Sequence, residues 1–282
     1  MRLAEFLLNK LNLKKLCFIV LSVVLVSICY FLSLSYSLSG GGWQLILFAK
    51  YIAFIAFVSI LSSLFVQYLG GGGKTVKMLF FTGVMPFMLT LGCFLFFLYF
   101  PNLSLLLKIL AALFNFILLY TLLLLNNVVL VVESRETNIP VYRVAIGWVQ
   151  IVLLSISLIL FTGIFRTFFQ PLVQVMFIVV SSYIFYQYLI WVYSNDKDYR
   201  VLRPLESTVL SFAITLLVGW GASLVLFFAT ESFLRGIFVA SVFLLGLGYI
   251  QLYLKNALSK KNTWDYLLIC LVFLIILVVF RP

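Results

Sequence analysis

The sequence predicts an all-α, polytopic integral membrane protein with about nine transmembrane helices. The first observation is composition: 65% of the 282 residues are hydrophobic and 10% are charged, whereas soluble domains average about 45–50% and about 25%. Such a chain has too little polar surface to cover a water-soluble globule. The second observation is that Leu, Val, Ile and Phe fill long segments without period-2 alternation, which favours helices over the strands of a membrane barrel.

Nine apolar segments approach the length of about 20 residues that a helix needs to cross a bilayer core about 30 Å thick. The predicted spans are residues 16–37, 44–69, 78–100, 105–132, 144–165, 172–193, 207–229, 234–254 and 264–280. The ninth span is short, because its uninterrupted apolar run begins only at Tyr266. We therefore expect Trp264 to anchor this span at the membrane interface.

Residues 1–15 are predicted to form a basic amphipathic segment on the membrane surface, since Leu3 and Leu7 share one helical face. Basic residues before an apolar run also occur in secretory signals. Here the run has about 22 residues, which is longer than a signal core of about 7–15 residues, so the first span is expected to remain in the protein. The predicted domains are residues 1–15 and a single transmembrane helical domain, 16–282.

Four loops predicted on the same side of the membrane are centred near residues 74, 138, 200 and 260, at intervals of 64, 62 and 60 residues. Each interval holds one helix leading out and one leading back. This spacing predicts one N-terminal span followed by four similarly oriented hairpins. Two of the loops repeat Tyr-Arg-Val, at Tyr142 and at Tyr199. Either the hairpins are duplicated, or spans of uniform length produce the interval by themselves.

Lysine and arginine are distributed unevenly between the two predicted sides of the membrane. Fourteen lie on the side of the N-terminus and five on the other side, so the positive-inside rule places the N-terminus in the cytoplasm. The C-terminus then lies outside if the ninth span crosses. This topology accounts for the net charge of +11. The predicted partners are therefore membrane lipids, with anionic headgroups on the cytoplasmic side, and not nucleic acid.

The usual residues of catalytic and metal sites are missing or misplaced. The chain has no histidine, which is the commonest metal ligand and general base, and its four cysteines lie inside apolar spans, where a thiol behaves as a small hydrophobe. Residues 70–75 have the composition of a phosphate-binding loop. However, Tyr68 stands where the first glycine is required, and the flanks are predicted membrane helices. We therefore expect no cofactor, no metal and no enzymatic activity.

Two lysines lie inside predicted spans on the outer side, where a charge is costly and often functional. Lys50 lies about six residues inside the second span, and Lys108 about one turn inside the fourth. Either side chain could extend outward to the membrane surface. The alternative is an outer vestibule formed by Lys50, Lys108 and Asn115, because Lys108 and Asn115 are seven residues apart and share one helical face. A single amide such as Asn115 could also join two helices.

Charged residues of both signs are concentrated in the predicted cytoplasmic loops. Seven of the eight acidic residues fall there, interleaved with basic residues. They form a candidate docking surface for lipid headgroups or for a protein partner, made of Glu133, Arg135, Glu136, Arg143, Asp196, Asp198, Arg200 and Arg203. The alternative is a solvated face that steadies the helix ends, because exposed ion pairs contribute only about 0–1 kcal/mol each.

One further motif runs from Asn126-Asn127 through Ile139-Pro140 to Arg143-Val144-Ala145. Another runs from Leu245-Gly246-Leu247-Gly248-Tyr249 through Lys260-Lys261 to Asp265-Tyr266-Leu267. With these stretches the sequence resembles uncharacterised multi-pass membrane proteins of candidate-phyla-radiation (Patescibacteria) bacteria, and the resemblance as a whole covers about a third of the chain. The resemblance implies a bacterial cytoplasmic membrane and carries over no particular activity.

Three functions fit these observations. The first is a non-enzymatic structural or assembly subunit of the cytoplasmic membrane, whose inner loops meet lipid headgroups or another protein. The alternative is a transporter or channel for a lipid or other small solute, without ion coupling because no carboxylate lies near the midplane. An integral membrane enzyme comes third. A cavity lined by Lys108 and Asn115 would favour transport, whereas a solid interior with an exposed apolar flank would favour a subunit.

Overall fold

The computed structural model describes residues 19–28, 30–31, 53–54, 57–61, 76–98, 104–135, 140–167, 169–228, 230–257 and 260–280. All regular secondary structure in these ranges is α-helical, which confirms the predicted all-α class. The helices are α1 (Val76–Leu98), α2 (Leu105–Arg135), α3 (Pro140–Arg166), α4 (Pro171–Ser194), α5 (Pro204–Leu226), α6 (Ser232–Leu254) and α7 (Lys260–Val279). The described residues before α1 are helical as well.

Among the residues that the structure describes, five helical segments are long and apolar enough to cross a membrane: Leu105–Glu133, Tyr142–Arg166, Pro171–Ser194, Pro204–Leu226 and Ser232–Leu254. Three shorter apolar helices are Ile19–Ile28, Phe80–Phe96 and Trp264–Val279. All eight segments fall within or overlap predicted spans. The count of nine crossings, the hairpin arrangement and the crossing by the ninth span stay predictions. The surface segment 1–15, Lys50, Glu136 and the 70–75 loop lie outside the described residues.

Proline marks the start of three helices. Pro140, Pro171 and Pro204 are the first residues of α3, α4 and α5. A proline suits this position because its fixed φ is helical and its missing N–H would have had no partner within the helix. Glu206 lies in the first turn of α5, where a carboxylate interacts favourably with the helix dipole. Helices α3, α4 and α5 therefore begin before the first residue of the corresponding predicted apolar spans.

Contacts between residues divide the chain into two compact units, Met1–Thr137 and Asn138–Pro282, and each is described by itself. In the first unit α1 packs against α2. The Tyr30 hydroxyl donates to the Cys93 carbonyl of α1 at 3.1 Å, and this hydrogen bond is buried. It ties the helical residues near Tyr30 to α1.

In the second unit α6 is the central helix. It packs against α3, α5 and α7, while α4 packs against α3 and α5. The core around α6 is aromatic: the Phe243 ring lies 5.9 Å from Phe161, 5.8 Å from Phe185 and 4.8 Å from Tyr186, measured between centroids. All four side chains are fully buried. The Tyr186 hydroxyl donates to the Phe243 carbonyl at 3.1 Å, which links α4 to α6 inside this core.

Candidate functional site

Polar side chains of the second unit gather at one end of its bundle, where α3 and α5 begin and α4 and α6 end. The Tyr142 hydroxyl, in the first turn of α3, donates to the Val192 carbonyl in the last turn of α4 at 2.5 Å. The Tyr253 hydroxyl, near the end of α6, donates to a Glu206 carboxylate oxygen in the first turn of α5 at 3.0 Å. These hydrogen bonds join α3 to α4 and α5 to α6, and we call this region the polar end.

The connection between α4 and α5 is a series of hydrogen-bonded turns. The Asp196 N–H donates to the Tyr193 carbonyl at 3.1 Å, and the Tyr199 N–H donates to the Asp196 carbonyl at 3.2 Å. The Asp198 N–H donates to the Asp196 carboxylate at 3.2 Å, an arrangement in which an acidic side chain stabilises its own turn. Asp196 is therefore held in one orientation, and only 4% of the residue is exposed.

A cleft of about 240 Å³ opens at the polar end. Helix α3 contributes one wall, the α4–α5 connection a second, and the end of α6 a third. Its lining residues are Arg143, Ile146, Gly147, Gln150, Asp196, Asp198, Tyr199, Gln251 and Lys255. We call this site the polar cleft.

Two glutamines from different helices pair in the lining of the polar cleft. Gln150 Nε2 donates to Gln251 Oε1 at 3.1 Å and also donates to the Tyr193 hydroxyl oxygen. Both N–H donors of Gln150 are thereby used. Gln251 accepts this hydrogen bond through its side-chain oxygen, so its side-chain nitrogen is not used in the pair. The cleft therefore contains a fixed amide pair that joins α3 to α6.

The ring of Tyr199 is engaged by two neighbours. It stacks on Tyr193 with ring centroids 4.4 Å apart, and Lys255 Nζ lies 5.2 Å from the Tyr199 ring centroid, within the range of a cation–π interaction. The next residue, Arg200, donates its backbone N–H to the Leu254 carbonyl at 2.9 Å. These contacts fix the α4–α5 connection to the end of α6.

Two ion pairs lie at the polar end. Arg143 pairs with Asp198 at 2.5 Å, with 66% and 51% of their side chains exposed, and Arg200 pairs with Glu206 at 3.1 Å. Because these pairs are substantially exposed, each contributes only about 0–1 kcal/mol. Within the lining of the polar cleft the formal charges sum to zero, from two basic and two acidic side chains.

Several residues of the predicted docking surface meet at the polar end. Arg143, Asp196 and Asp198 line the polar cleft, and Arg200 lies beside it in the same connection. Arg203 is the exposed residue that precedes α5, and its side chain makes no capping hydrogen bond to that helix. The structure thus brings together residues that are more than 50 positions apart in the chain.

The other predicted docking residues belong to the first unit. Glu133 and Arg135 lie in the last turn of α2, and Glu136 follows outside the described residues. The extension of the docking surface to these residues stays a prediction.

The predicted outer vestibule is described only in part. Asn115, about three turns after the start of α2, is fully buried. Neither its amide nitrogen nor its amide oxygen has a hydrogen-bond partner among the residues that the structure describes. Lys108 is half-buried near the start of α2, and Lys50 lies outside the described residues. A vestibule formed by the three residues therefore stays a prediction.

Six lining residues of the polar cleft were not among the predicted site residues: Ile146, Gly147, Gln150, Tyr199, Gln251 and Lys255. A signal for two of them was present in the sequence. Gln150 and Gln251 are amides within apolar spans, where a polar side chain commonly makes contacts between helices. No comparable signal marks Tyr199 or Lys255, because aromatic and basic residues are common at the ends of membrane helices.

Within the described part of the chain, no group of three or more histidine, cysteine, aspartate or glutamate side chains could hold a metal ion. Cys93 is buried and Cys270 is half-buried, and neither is in a disulfide. Comparison of the chain with protein-family models, with curated proteins and with solved structures found no match. The fold itself defines the class: the described part of the chain is helical and has five helices long and apolar enough to cross a membrane.

Proposed function

We propose that the chain is a non-enzymatic structural or assembly subunit of a bacterial cytoplasmic membrane, and that it engages its binding partner at the polar cleft. The observation that carries the proposal is the cleft itself, whose walls are fixed by internal contacts. The Asp196 turn, the Gln150–Gln251 pair and the Tyr199 stack all constrain its shape. A preorganised site of this kind loses little conformational entropy when its partner binds.

The interior of the second unit supports a subunit over a protein that rearranges during transport. Phe243 packs against three buried rings at the centre of the bundle, and a densely packed core of this kind resists deformation. The outer faces of the helices expose large apolar side chains, including Trp148 of α3 and Trp220 of α5. A solid core with exposed apolar flanks suits contact with lipid tails or with neighbouring membrane helices.

The distribution of basic residues supports a cytoplasmic position for the polar end. The positive-inside rule assigns the starts of α3 and α5 to that side. At the membrane surface, charged side chains such as Arg143 and Lys255 reach headgroups and water, so their charges are not buried in hydrocarbon. The polar cleft would then open toward the inner headgroup region.

Native mass spectrometry tests this proposal on the protein extracted from its own membrane in a gentle amphiphile. A Cβ at Gly147 would meet no atom within 4 Å, so Gly147→Leu fills part of the cleft without a backbone clash. The substitution also replaces a helical glycine by a better helix former, which protects the fold. We expect wild-type protein to retain a stoichiometric partner and Gly147→Leu protein to lose it.

Ser155→Leu is the matched control, because it adds the same side chain to α3 about two turns away from Gly147. This variant should retain the partner at the wild-type level. If wild-type protein carries no stoichiometric component, or if Gly147→Leu protein still carries it, the proposal is wrong.

Asn115 favours a second candidate function, a transporter or channel for a lipid or other small solute. This side chain is fully buried in α2, and both of its amide atoms lack hydrogen-bond partners within the described ranges. A buried unpaired polar group costs about 1–3 kcal/mol. Polar groups retained inside membrane helices at such a cost often belong to a solute path.

The variant Asn115→Leu separates the two functions. In a transporter for lipids, the wild-type protein in proteoliposomes would move a fluorescent lipid between leaflets, and the variant would lose this activity. In a subunit, neither protein would move the lipid, and the variant would be more stable by about 1–3 kcal/mol because the unpaired amide is gone. The lipid assay and a denaturation assay on the same preparations distinguish these results.

A further inference from the structure

We propose that the polar cleft binds the headgroup of an amine-bearing phospholipid, a zwitterion that carries one ammonium and one phosphate, while the acyl chains lie along the apolar face of α3. The inference rests on the proposed membrane function and names the ligand of the same cleft. In this arrangement Arg143 and Lys255 contact the phosphate, and Asp196 and Asp198 contact the ammonium.

The charges of the lining favour a zwitterion over an anion. Arg143 and Lys255 supply two positive charges, and Asp196 and Asp198 supply two negative charges, so no formal net charge is left to concentrate an anionic headgroup. Asp196 is 4% exposed, and a buried carboxylate is stabilised by an opposite charge and by hydrogen bonds. A primary ammonium supplies both, since it carries three N–H donors.

Two of the helix ends at the cleft, the start of α3 and the end of α4, orient such a headgroup in the same sense as the side chains. Arg143 lies in the first turn of α3, where the positive end of the helix dipole adds to the attraction for phosphate. Asp196 follows the last turn of α4, where the negative end of that dipole adds to the attraction for ammonium. The phosphate therefore faces α3 and the ammonium faces the α4–α5 connection.

The aromatic contacts favour a primary ammonium over a quaternary one. A quaternary ammonium has no N–H donor, and proteins recognise it with aromatic faces. Tyr199 is the aromatic residue of the lining, and its ring is already stacked on Tyr193, so the cleft does not offer several free aromatic faces. The carboxylates of Asp196 and Asp198 can instead accept hydrogen bonds from a primary ammonium.

An apolar path for the acyl chains begins at the wall of the cleft. Gly147 lines the cleft and is exposed, and the space beside it is open because no atom lies within 4 Å of where its Cβ would be. On the same face of α3, Val144, Trp148 and Ile151 expose large apolar side chains. Their spacing of four and seven residues forms one helical stripe. This continuity favours a lipid over a soluble zwitterion.

Binding exchanges one ion pair for two. Arg143 and Asp198 pair with each other at 2.5 Å and are mostly exposed, and exposed pairs of this kind contribute little to stability. The headgroup would replace this pair by one between Asp198 and the ammonium and one between Arg143 and the phosphate. Because the number of ion pairs rises from one to two, breaking the Arg143–Asp198 pair adds little to the free-energy cost of binding.

The test uses full-length protein in nanodiscs that contain equal amounts of phosphatidylethanolamine, phosphatidylcholine and phosphatidylglycerol with identical acyl chains. Native mass spectrometry after mild delipidation measures the retained lipids. We expect phosphatidylethanolamine to be retained about tenfold over phosphatidylcholine by wild-type protein. Asp196→Asn keeps the oxygen that accepts the Asp198 N–H but removes the charge, and it should abolish most of this preference.

Glu231→Gln is the matched control, because it neutralises an exposed carboxylate that precedes α6 at the other end of that helix. This variant should retain the wild-type preference. Equal retention of the three lipids by wild-type protein, or preference for phosphatidylglycerol, would overturn the inference. Saturable binding of soluble phosphoethanolamine without enrichment of the lipid would show that the ligand is a soluble zwitterion and that the lipid inference is wrong. An unchanged preference in Asp196→Asn protein would overturn the assignment to the polar cleft.

The two proposals can fail separately. If no lipid is enriched but Gly147→Leu still removes another stoichiometric component from the extracted protein, the lipid inference is wrong and the subunit function stands. If neither experiment detects a component that depends on the cleft, both proposals are wrong.

Discussion

Helices α6 and α7 are consecutive in the chain and both mostly apolar, but the second unit encloses α6 and leaves α7 largely exposed. α6 packs against α3, α5 and α7, whereas α7 packs chiefly against α6. Buried residues occur along nearly the whole length of α6, while most residues of α7 from Trp264 onward are exposed. High hydropathy therefore does not show which of two apolar helices is surrounded by protein.

Small residues account for the difference, because close approach of helix backbones in a membrane depends on them. A Cβ at Gly236 of α6 would lie 2.9 Å from the Thr162 Cα of α3, and one at Gly248 would lie 2.7 Å from a ring atom of Tyr266 in α7. α7 itself contains no glycine. Helix α6 can thus be approached closely from two sides.

The contacts of α7 follow one narrow stripe. Tyr266 packs beside Gly248, the Cys270 thiol donates to the Ser241 carbonyl of α6 at 3.2 Å, and Leu277 is buried. The three positions are four and eleven residues apart and share one helical face. The remaining faces of α7 are open to lipid or to another protein.

The largest effect is expected from Phe243→Ala in α6. The substitution removes a fully buried ring that contacts three other rings, and Phe→Ala changes in cores cost about 3–5 kcal/mol. The free energy of unfolding can be measured by titrating the protein in mixed micelles with sodium dodecyl sulfate. Phe280→Ala is the control, since Phe280 follows α7 and is 65% exposed. Equal losses in the two variants would show that enclosure does not distinguish these helices.

Gly236→Leu should have the next largest effect. The added side chain would meet the backbone of Thr162, so α3 and α6 must separate, and overpacking of this kind costs about 1–3 kcal/mol. The same titration measures the loss. Leu271→Phe adds bulk to an exposed position of α7 and should leave stability close to that of the wild type. A neutral Gly236→Leu variant would contradict the close approach of α3 and α6.

Much of the helical fold could be predicted because apolar length and helix formation are both local properties. The span predicted at 172–193 corresponds to Pro171–Ser194, and the one predicted at 234–254 corresponds to Ser232–Leu254. The prediction at 207–229 began late, because polar residues at the helix start were interpreted as a loop. Helix α5 begins instead at Pro204, since polar residues are well accommodated in a first helical turn.

The polar cleft could be predicted only in part. Arg143, Asp196 and Asp198 were identified because charged residues cluster in the loops between apolar spans. The pairing of Gln150 with Gln251 joins residues 101 positions apart, and it depends on α3 lying beside α6. That arrangement is set by side-chain packing between helices, and hydropathy and spacing carry no information about it.

The smallest effect is expected from Leu271→Ala in α7, which sharpens the comparison within a single helix. Leu271 is 49% exposed and Leu277 is 2% exposed. Truncation of Leu271 should change the free energy of unfolding by less than about 0.5 kcal/mol, because mobile lipid or detergent chains fill the space that the side chain leaves. Leu277→Ala, the matched variant, leaves a cavity that surrounding side chains fill only partly, and it should cost about 2 kcal/mol. Equal costs in the same detergent titration would mean that both faces of α7 are covered by protein, and α7 would then be as enclosed as α6.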